Sequence, residues 1–298
     1  MTSTTPLISV RPVTVPAPDR GEDLQVRVTA PATGADLPVV VFSHGFGWSM
    51  DGYSPLAFAW ADAGFVVVQP THLDSRTLGL TPADPRFADI WRTRVADVTQ
   101  VLDSLHLVEA AVPGLPGRVD RSRIAVAGHS WGGQTVGMLL GARVLGADGE
   151  PGEDRRDPRV TAGVLLATTG TGDELTPFAA EHLPFMRPDF SGLTTPTLVV
   201  AGDADQSALS TRGPDWFTDP YTLSPGARAL LTLAGGEHGL GGIVGPGAAE
   251  TTDESPERVA AVQRVTAAWL RTALGVDDAA WGAAVAEVPG TAGRVESR

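Results

Sequence analysis

The chain has 298 residues, 42% hydrophobic and 19% charged, with a formal net charge of −13 at pH 7. It contains no cysteine, and its 22 basic residues are all arginine. That composition excludes disulfides, thiolate nucleophiles, Cys-ligated zinc and lysine-based chemistry, and the acidic balance argues against nucleic-acid or anionic-membrane partners.

A chain of this length can bury one large core, so a single domain over residues 1–298 is expected. The N-terminal stretch MTSTTPLISVRPVTVPAPDR has no charged segment followed by an apolar one, so it does not read as a signal peptide. No run reaches the ~18 to 20 apolar residues that cross a bilayer. A soluble cytoplasmic protein is the expectation.

In chain order, Leu24–Ala30 reads as an edge strand, and LPVVVFSHG contains a β-branched run suited to a buried strand. YSPLAFAWADAG reads as a helix stopped by Gly64, followed by a second buried strand, FVVVQP. Asp84-Pro85 opens a further helix, with Asp as N-cap. Phe87, Ile90, Trp91, Val95, Val98, Leu102 and Leu105 form its apolar stripe. RIAVAG is a strand, and QTVGMLLGARVL, residues 134–145, reads as the helix after it. VTAGVLLAT, PTLVVAG and ARALLTLAG are three more buried strands. Ser255-Pro256 starts a last helix with a stripe at Val259, Val262, Val265 and Trp269.

Buried strands alternating with amphipathic helices predict an α/β protein with a mostly parallel sheet and helices on both faces. Residues 168–195 interrupt the alternation with Gly, Pro and aromatic residues. Either a lid-like insertion over a site or an irregular surface excursion accounts for that interruption.

Between the strand RIAVAG and its helix lies Gly128-His129-Ser130-Trp131-Gly132. A G-x-S-x-G turn between a strand and a helix exposes its serine, and small residues on either side let the backbone fold tightly. Ser130 is therefore the candidate nucleophile, set against the plainer reading of a small residue in a glycine-rich turn. A serine hydroxyl needs a base, and the base needs an orienting acid. Of the six histidines, His238 alone follows a late strand, in the glycine-rich stretch LAGGEHGLGG. The acid should lie just past the preceding strand, where GDADQS supplies Asp203 and Asp205. The G-x-x-D spacing favours Asp205, with Asp203 as a turn aspartate. Oxyanion donors are expected from the backbone N–H of Trp131 and, in the HGFG loop, of Phe46.

Together these pieces resemble the α/β-hydrolase superfamily. Within it the chain looks like the bacterial chlorophyllase/cutinase-like group, often labelled predicted dienelactone hydrolases. The resemblance rests on VVVFSHGFG, DGYSPLAFAWADAGFVVVQPTH, DPRFADIWRTRVADVTQVLDSL, RIAVAGHSWGGQT, PTLVVAGDADQS, GGEHG and ETTDESPERVAAVQRVTAAWLRTAL, and it spans about Pro38 to Leu274. It implies the same nucleophile, acid, base and oxyanion positions. True dienelactone hydrolases use a cysteine nucleophile, which this chain lacks, so the label does not name the substrate.

The expected activity is serine carboxylic-ester hydrolysis through an acyl-enzyme, without metal or organic cofactor. Trp48, Phe178, Phe185, Met186 and Trp216 are candidate pocket residues, alongside the alternative that each packs in the core. They suggest a small apolar or aromatic ester. Lactone, thioester, amide, polyester or phthalate-type ester hydrolysis on the same residues is the alternative within enzymes. A non-catalytic ligand-binding protein of the same fold is the alternative outside them. A fluorophosphonate is expected to label the wild-type protein once at Ser130, and persistence of the label in Ser130→Ala would refute that assignment.

Overall fold

Strands made of consecutive β-branched and aliphatic residues are stable only where both faces of the sheet are covered. In the computed structural model, Val39–Val41 and Val66–Val68 are such runs, and every one of these side chains is buried. The structure describes residues 6–81, 83–246, 248–288 and 290–298; residues 1–5, included in the expected single domain, lie outside the described residues.

The strands are β1 (Leu7–Val15), β2 (Leu24–Pro31), β3 (Leu37–Ser43), β4 (Val66–Pro70), β5 (Val119–His129), the short β6 (Arg143–Val144), β7 (Val160–Leu166), the short β8 (Pro188–Asp189), β9 (Thr197–Gly202), β10 (Ala227–Leu233) and β11 (Gly293–Ser297). Nine of them form one sheet in the order β1-β2-β4-β3-β5-β7-β9-β10-β11, and β6 pairs with β8 apart from it. From β4 through β10 the neighbours are parallel. β2 runs antiparallel to both β1 and β4, and β11 antiparallel to β10.

One expectation changes here. Leu24–Ala30 is not an edge strand, because β1 pairs along its outer side from Leu7↔Pro31 to Val15↔Leu24. The alternating exposure of β1 makes it the half-solvated edge instead. The C-terminal residues close the opposite edge as β11.

The helices are α1 (Ser54–Asp62), α2 (Ile90–Asp103), α3 (Leu105–Ala110), α4 (Trp131–Leu139), α5 (Pro177–His182), α6 (Asp219–Leu223), α7 (Pro256–Ala273) and α8 (Ala280–Ala286). Among the described residues, none is long and apolar enough to cross a membrane. α1 and α7 pack on each other, whereas α2 and α4 pack together over β3 and β4 and over β5 and β7, respectively. Local chemistry sets the helix ends. The Ser255 hydroxyl caps α7 by accepting from Arg258 N–H. The Asp84 carboxylate accepts from Arg86 N–H and starts a 3-10 turn that leads into α2. Gly64 follows α1 at φ 101°.

α4 stops at Leu139, short of the expected end at residue 145. Gly141 takes φ 116°, and a side chain there would collide with the Gly192 carbonyl, so the chain leaves the helix to form β6. Residues 168–195 hold α5 and β8 and connect β7 to β9. This segment is tied to α4 by a hydrogen bond of 2.7 Å from the Gln134 side-chain amide to the Phe185 carbonyl.

α7 is fastened to α1 by a buried polar contact. The Trp60 indole N–H donates to Thr266 Oγ1 at 2.8 Å, and both residues are fully buried. Replacing Thr266 with Val keeps the shape and strands the indole donor. Thr266→Val should therefore cost ~1–3 kcal/mol, read as a lower urea midpoint with an unchanged slope.

Candidate active site

β5 ends at His129 and α4 begins at Trp131, so a single residue, Ser130, carries the whole reversal. It does so at φ 55° and ψ −121°, a conformation that a side-chain-bearing residue holds only under constraint from its surroundings. Ser130 N–H donates to the Leu166 carbonyl at 2.9 Å, which anchors the turn to β7. A side chain on Gly128 would collide with the Gly132 carbonyl, and one on Gly132 with the Ser43 carbonyl. Glycine at both positions lets β5, α4 and the end of β3 come together.

The His238 imidazole Nε2 lies 2.9 Å from Ser130 Oγ, and its Nδ1 lies 2.9 Å from Asp205 Oδ2. Asp205 is fully buried and the His238 side chain is 41% exposed, so the carboxylate is sheltered and the imidazole reaches solvent. Burial pushes the Asp205 carboxyl above its usual range, and the adjacent His238 opposes that shift. Asp203, the other candidate acid, is engaged elsewhere: its carboxylate accepts from Gly235 N–H at 2.6 Å. Asp253 braces the loop that carries His238, accepting from Glu237 N–H and Gly241 N–H at 2.9 Å each.

The HGFG loop abuts the start of α4. Within it, Gly45 N–H donates to the Tyr53 hydroxyl at 3.1 Å, Gly47 N–H to Asp74 Oδ2 at 3.2 Å and Trp48 N–H to the Gly45 carbonyl at 3.2 Å. Among the described residues, the Phe46 N–H between them has no hydrogen-bond partner. Trp131 is the first residue of α4, where a helix leaves its N–H groups without intrahelical acceptors. The Phe46 and Trp131 rings pack with centroids 4.5 Å apart.

Ser130, His238, Gly45 and Phe46 line a cleft of about 190 Å³ together with Trp48, Arg76, Val244, Glu250 and Thr251. Arg76 and Glu250 form an ion pair of 2.7 Å at its rim. Phe185 is buried with its ring edge-on to Trp131 at 5.4 Å and is not part of the cleft lining. The remaining pocket candidates fall elsewhere. Met186 is fully buried in the cluster with Leu73, Ile90 and Trp131. Trp216 is fully buried in the main core, its indole N–H donating to the Thr171 carbonyl at 2.8 Å. Phe178 is 60% exposed and stacks on His182 at 4.6 Å, away from the cleft lining. A fully buried side chain is consumed by its own packing and offers substrate no surface.

Several supporting residues were not among the sequence candidates. Arg94, 1% exposed, donates from Nη1 to both Asp74 oxygens at 2.6 and 2.7 Å and from Nε to Thr135 Oγ1 at 3.0 Å, and it also bonds the His44 carbonyl. One guanidinium thus holds the HGFG loop, α2 and α4. Burial pushes the Asp74 carboxyl up, but Arg94, His44 and the Gly47 N–H together more than offset it, and the net shift is downward. The signal for this was present in the sequence: Arg94 and Asp97 fall on the same helical face as Ile90 and Val101.

The sheet order, the serine turn after its central strand, and the acid and histidine on loops after later strands define an α/β-hydrolase-fold protein. The family comparison agrees: residues 7–143 match the Chlorophyllase family model, in keeping with the chlorophyllase/cutinase-like resemblance. A platelet-activating factor acetylhydrolase from Cavia porcellus is 28% identical over 142 residues, 36% of this chain and 33% of that protein. The chain thus spans about a third of the length of the curated relative it matches.

Removing one partner of a buried ion pair leaves the other uncompensated. Arg94→Met should cost ~3–5 kcal/mol in a urea titration. Because the folded-state pKa of Asp74 is depressed, its stabilisation is fully present above the unfolded carboxylate pKa and is lost as the pH falls through the folded one. The stability gap between wild type and Asp74→Asn should therefore narrow as the pH drops below about 4.

Proposed function

We propose that this protein is a serine hydrolase of carboxylic esters, with Ser130 as nucleophile, His238 as base and Asp205 as the acid that orients it. The observation that carries the reading is the continuous pair of 2.9 Å contacts from Ser130 Oγ through the His238 imidazole to buried Asp205. In this reading His238 Nε2 takes the hydroxyl proton as Ser130 Oγ attacks the ester carbonyl carbon. The carbonyl oxygen becomes an oxyanion held by the N–H groups of Phe46 and Trp131. As the tetrahedral intermediate collapses, the bond to the alcohol oxygen breaks, and His238 returns the proton to that oxygen. Water then attacks the acyl-enzyme by the same sequence, releasing the acid and regenerating Ser130. Asp205 fixes Nδ1–H and stabilises the imidazolium without itself taking the proton.

The size and lining of the cleft support a small, neutral, apolar or aromatic ester as substrate. About 190 Å³ is below the range usual for drug-sized ligands. Phe46, Trp48 and Val244 supply apolar wall, and the rim charges of Arg76 and Glu250 satisfy one another. The match to an acetylhydrolase supports a short acyl group in the same way.

The acid assignment is tested on a p-nitrophenyl ester. Asp205→Asn should lower kcat by ~10⁴, as loss of the orienting acid does elsewhere, and Asp203→Asn should stay within an order of magnitude of wild type. The opposite ranking would overturn the choice. Across a p-nitrophenyl series, acetyl and butyryl esters should show higher kcat/KM than dodecanoyl or palmitoyl esters.

A further inference from the structure

The catalytic reading uses neither Tyr53 nor His129, although both are buried within a few ångströms of it. Tyr53 is fully buried and His129 is 4% exposed. Their polar atoms form one chain. Gly45 N–H donates to the Tyr53 hydroxyl at 3.1 Å, the hydroxyl lies 2.9 Å from His129 Nδ1, and His129 Nε2 lies 2.8 Å from the His238 carbonyl oxygen. The direction of each bond follows from the groups at the ends. A carbonyl only accepts, so His129 Nε2 carries a proton. Burial keeps the ring neutral, its pKa pushed down to about 3, so Nδ1 is a bare lone pair. Tyr53 therefore donates to Nδ1, and its oxygen is left to accept from Gly45.

This chain touches three separate parts of the site. Gly45 is next to the Phe46 donor, His129 is next to Ser130, and the accepted carbonyl belongs to His238 itself. We propose that Tyr53 and His129 are positioning residues that hold the oxyanion loop, the serine turn and the histidine loop in one register. The need is physical. His238 lies on a loop flanked by Gly235, Gly236 and Gly239, and a shift of about 1 Å in a reacting group can cost a hundredfold in rate. This role rests on the serine-hydrolase reading, and the test separates the two.

The experiment uses the full chain and a p-nitrophenyl acetate assay, with fluorophosphonate labelling as the control. Absence of a Ser130-dependent label in wild type would overturn the hydrolase reading, and with it this role. Given the label, Tyr53→Phe, which removes one hydroxyl, should lower kcat by about tenfold, the rate equivalent of one buried hydrogen bond, with KM unchanged. His129→Leu should act alike. Tyr53→Phe/His129→Leu should be no worse than the poorer single variant, within about twofold, because both cut one chain. An unchanged kcat in Tyr53→Phe, or losses that multiply in the double variant, would overturn the proposal. Long-range ¹H–¹⁵N spectra of the wild-type protein provide an arm that needs no variant to fold. His129 should be the Nε2–H tautomer, and a proton on Nδ1 would overturn the chain.

Discussion

Backbone contact between Gly132 and the end of β3 is the constraint on which the rest of this site depends. The Ser43 and His44 carbonyls lie so close to Gly132 that no side chain fits there. Gly128 is pressed in the same way against the first turn of α4, and Gly133 lies against the side chain of Thr168, just past the end of β7. These contacts set the left-handed turn at Ser130 and bring two separate loops to it. A Cβ at Gly132 would force the first turn of α4 away from the end of β3 and the start of the HGFG loop. The turn is costly on its own, since a non-glycine residue at φ 55° is disfavoured, and it persists because packing on three sides leaves no alternative.

Around that constraint the protein uses buried polar groups rather than apolar filler. Arg94 and Asp74 are nearly inaccessible, and burying such a pair gains little net stability over well-packed hydrophobic residues. Its effect is geometric: a planar guanidinium with several fixed donors reaches the His44 carbonyl, Thr135 and Asp74 at once. His44 follows the same logic. Its Nε2 accepts from His72 N–H at 3.0 Å, which fixes a neutral ring that donates from Nδ1 to the Gly45 carbonyl at 2.7 Å. Burial, with Arg94 alongside, lowers its pKa to about 4, so the loop carries no added charge there.

Much of the architecture was legible in the sequence, for identifiable reasons. Uninterrupted runs such as Val39–Val41 have one stable environment, and the end signals at Ser255, Asp84 and Gly64 act through their nearest neighbours. The misreadings have a different character. β2 looked like an edge because its own composition does not reveal that β1 will pair with it. α4 looked longer because its apolar pattern continues past Leu139, and only Gly192, distant in sequence, forces Gly141 to end it. Trp216 stayed open between pocket and core because an aromatic residue suits both equally well, and its neighbours decide between them.

For the site itself, the sequence alone determined the residue types and their order: a serine between glycines after a strand, a later aspartate and a last histidine. These are local and sequential properties, and a turn that demands glycine or a loop that follows a strand can be read from neighbouring letters. Only the tertiary structure decided which aspartate faces His238 and which holds Gly235, since both follow the same strand two residues apart. It also decided that Arg94, Tyr53 and His129 surround the reacting groups, because hydrogen bonds between residues tens of positions apart depend on where the sheet puts them.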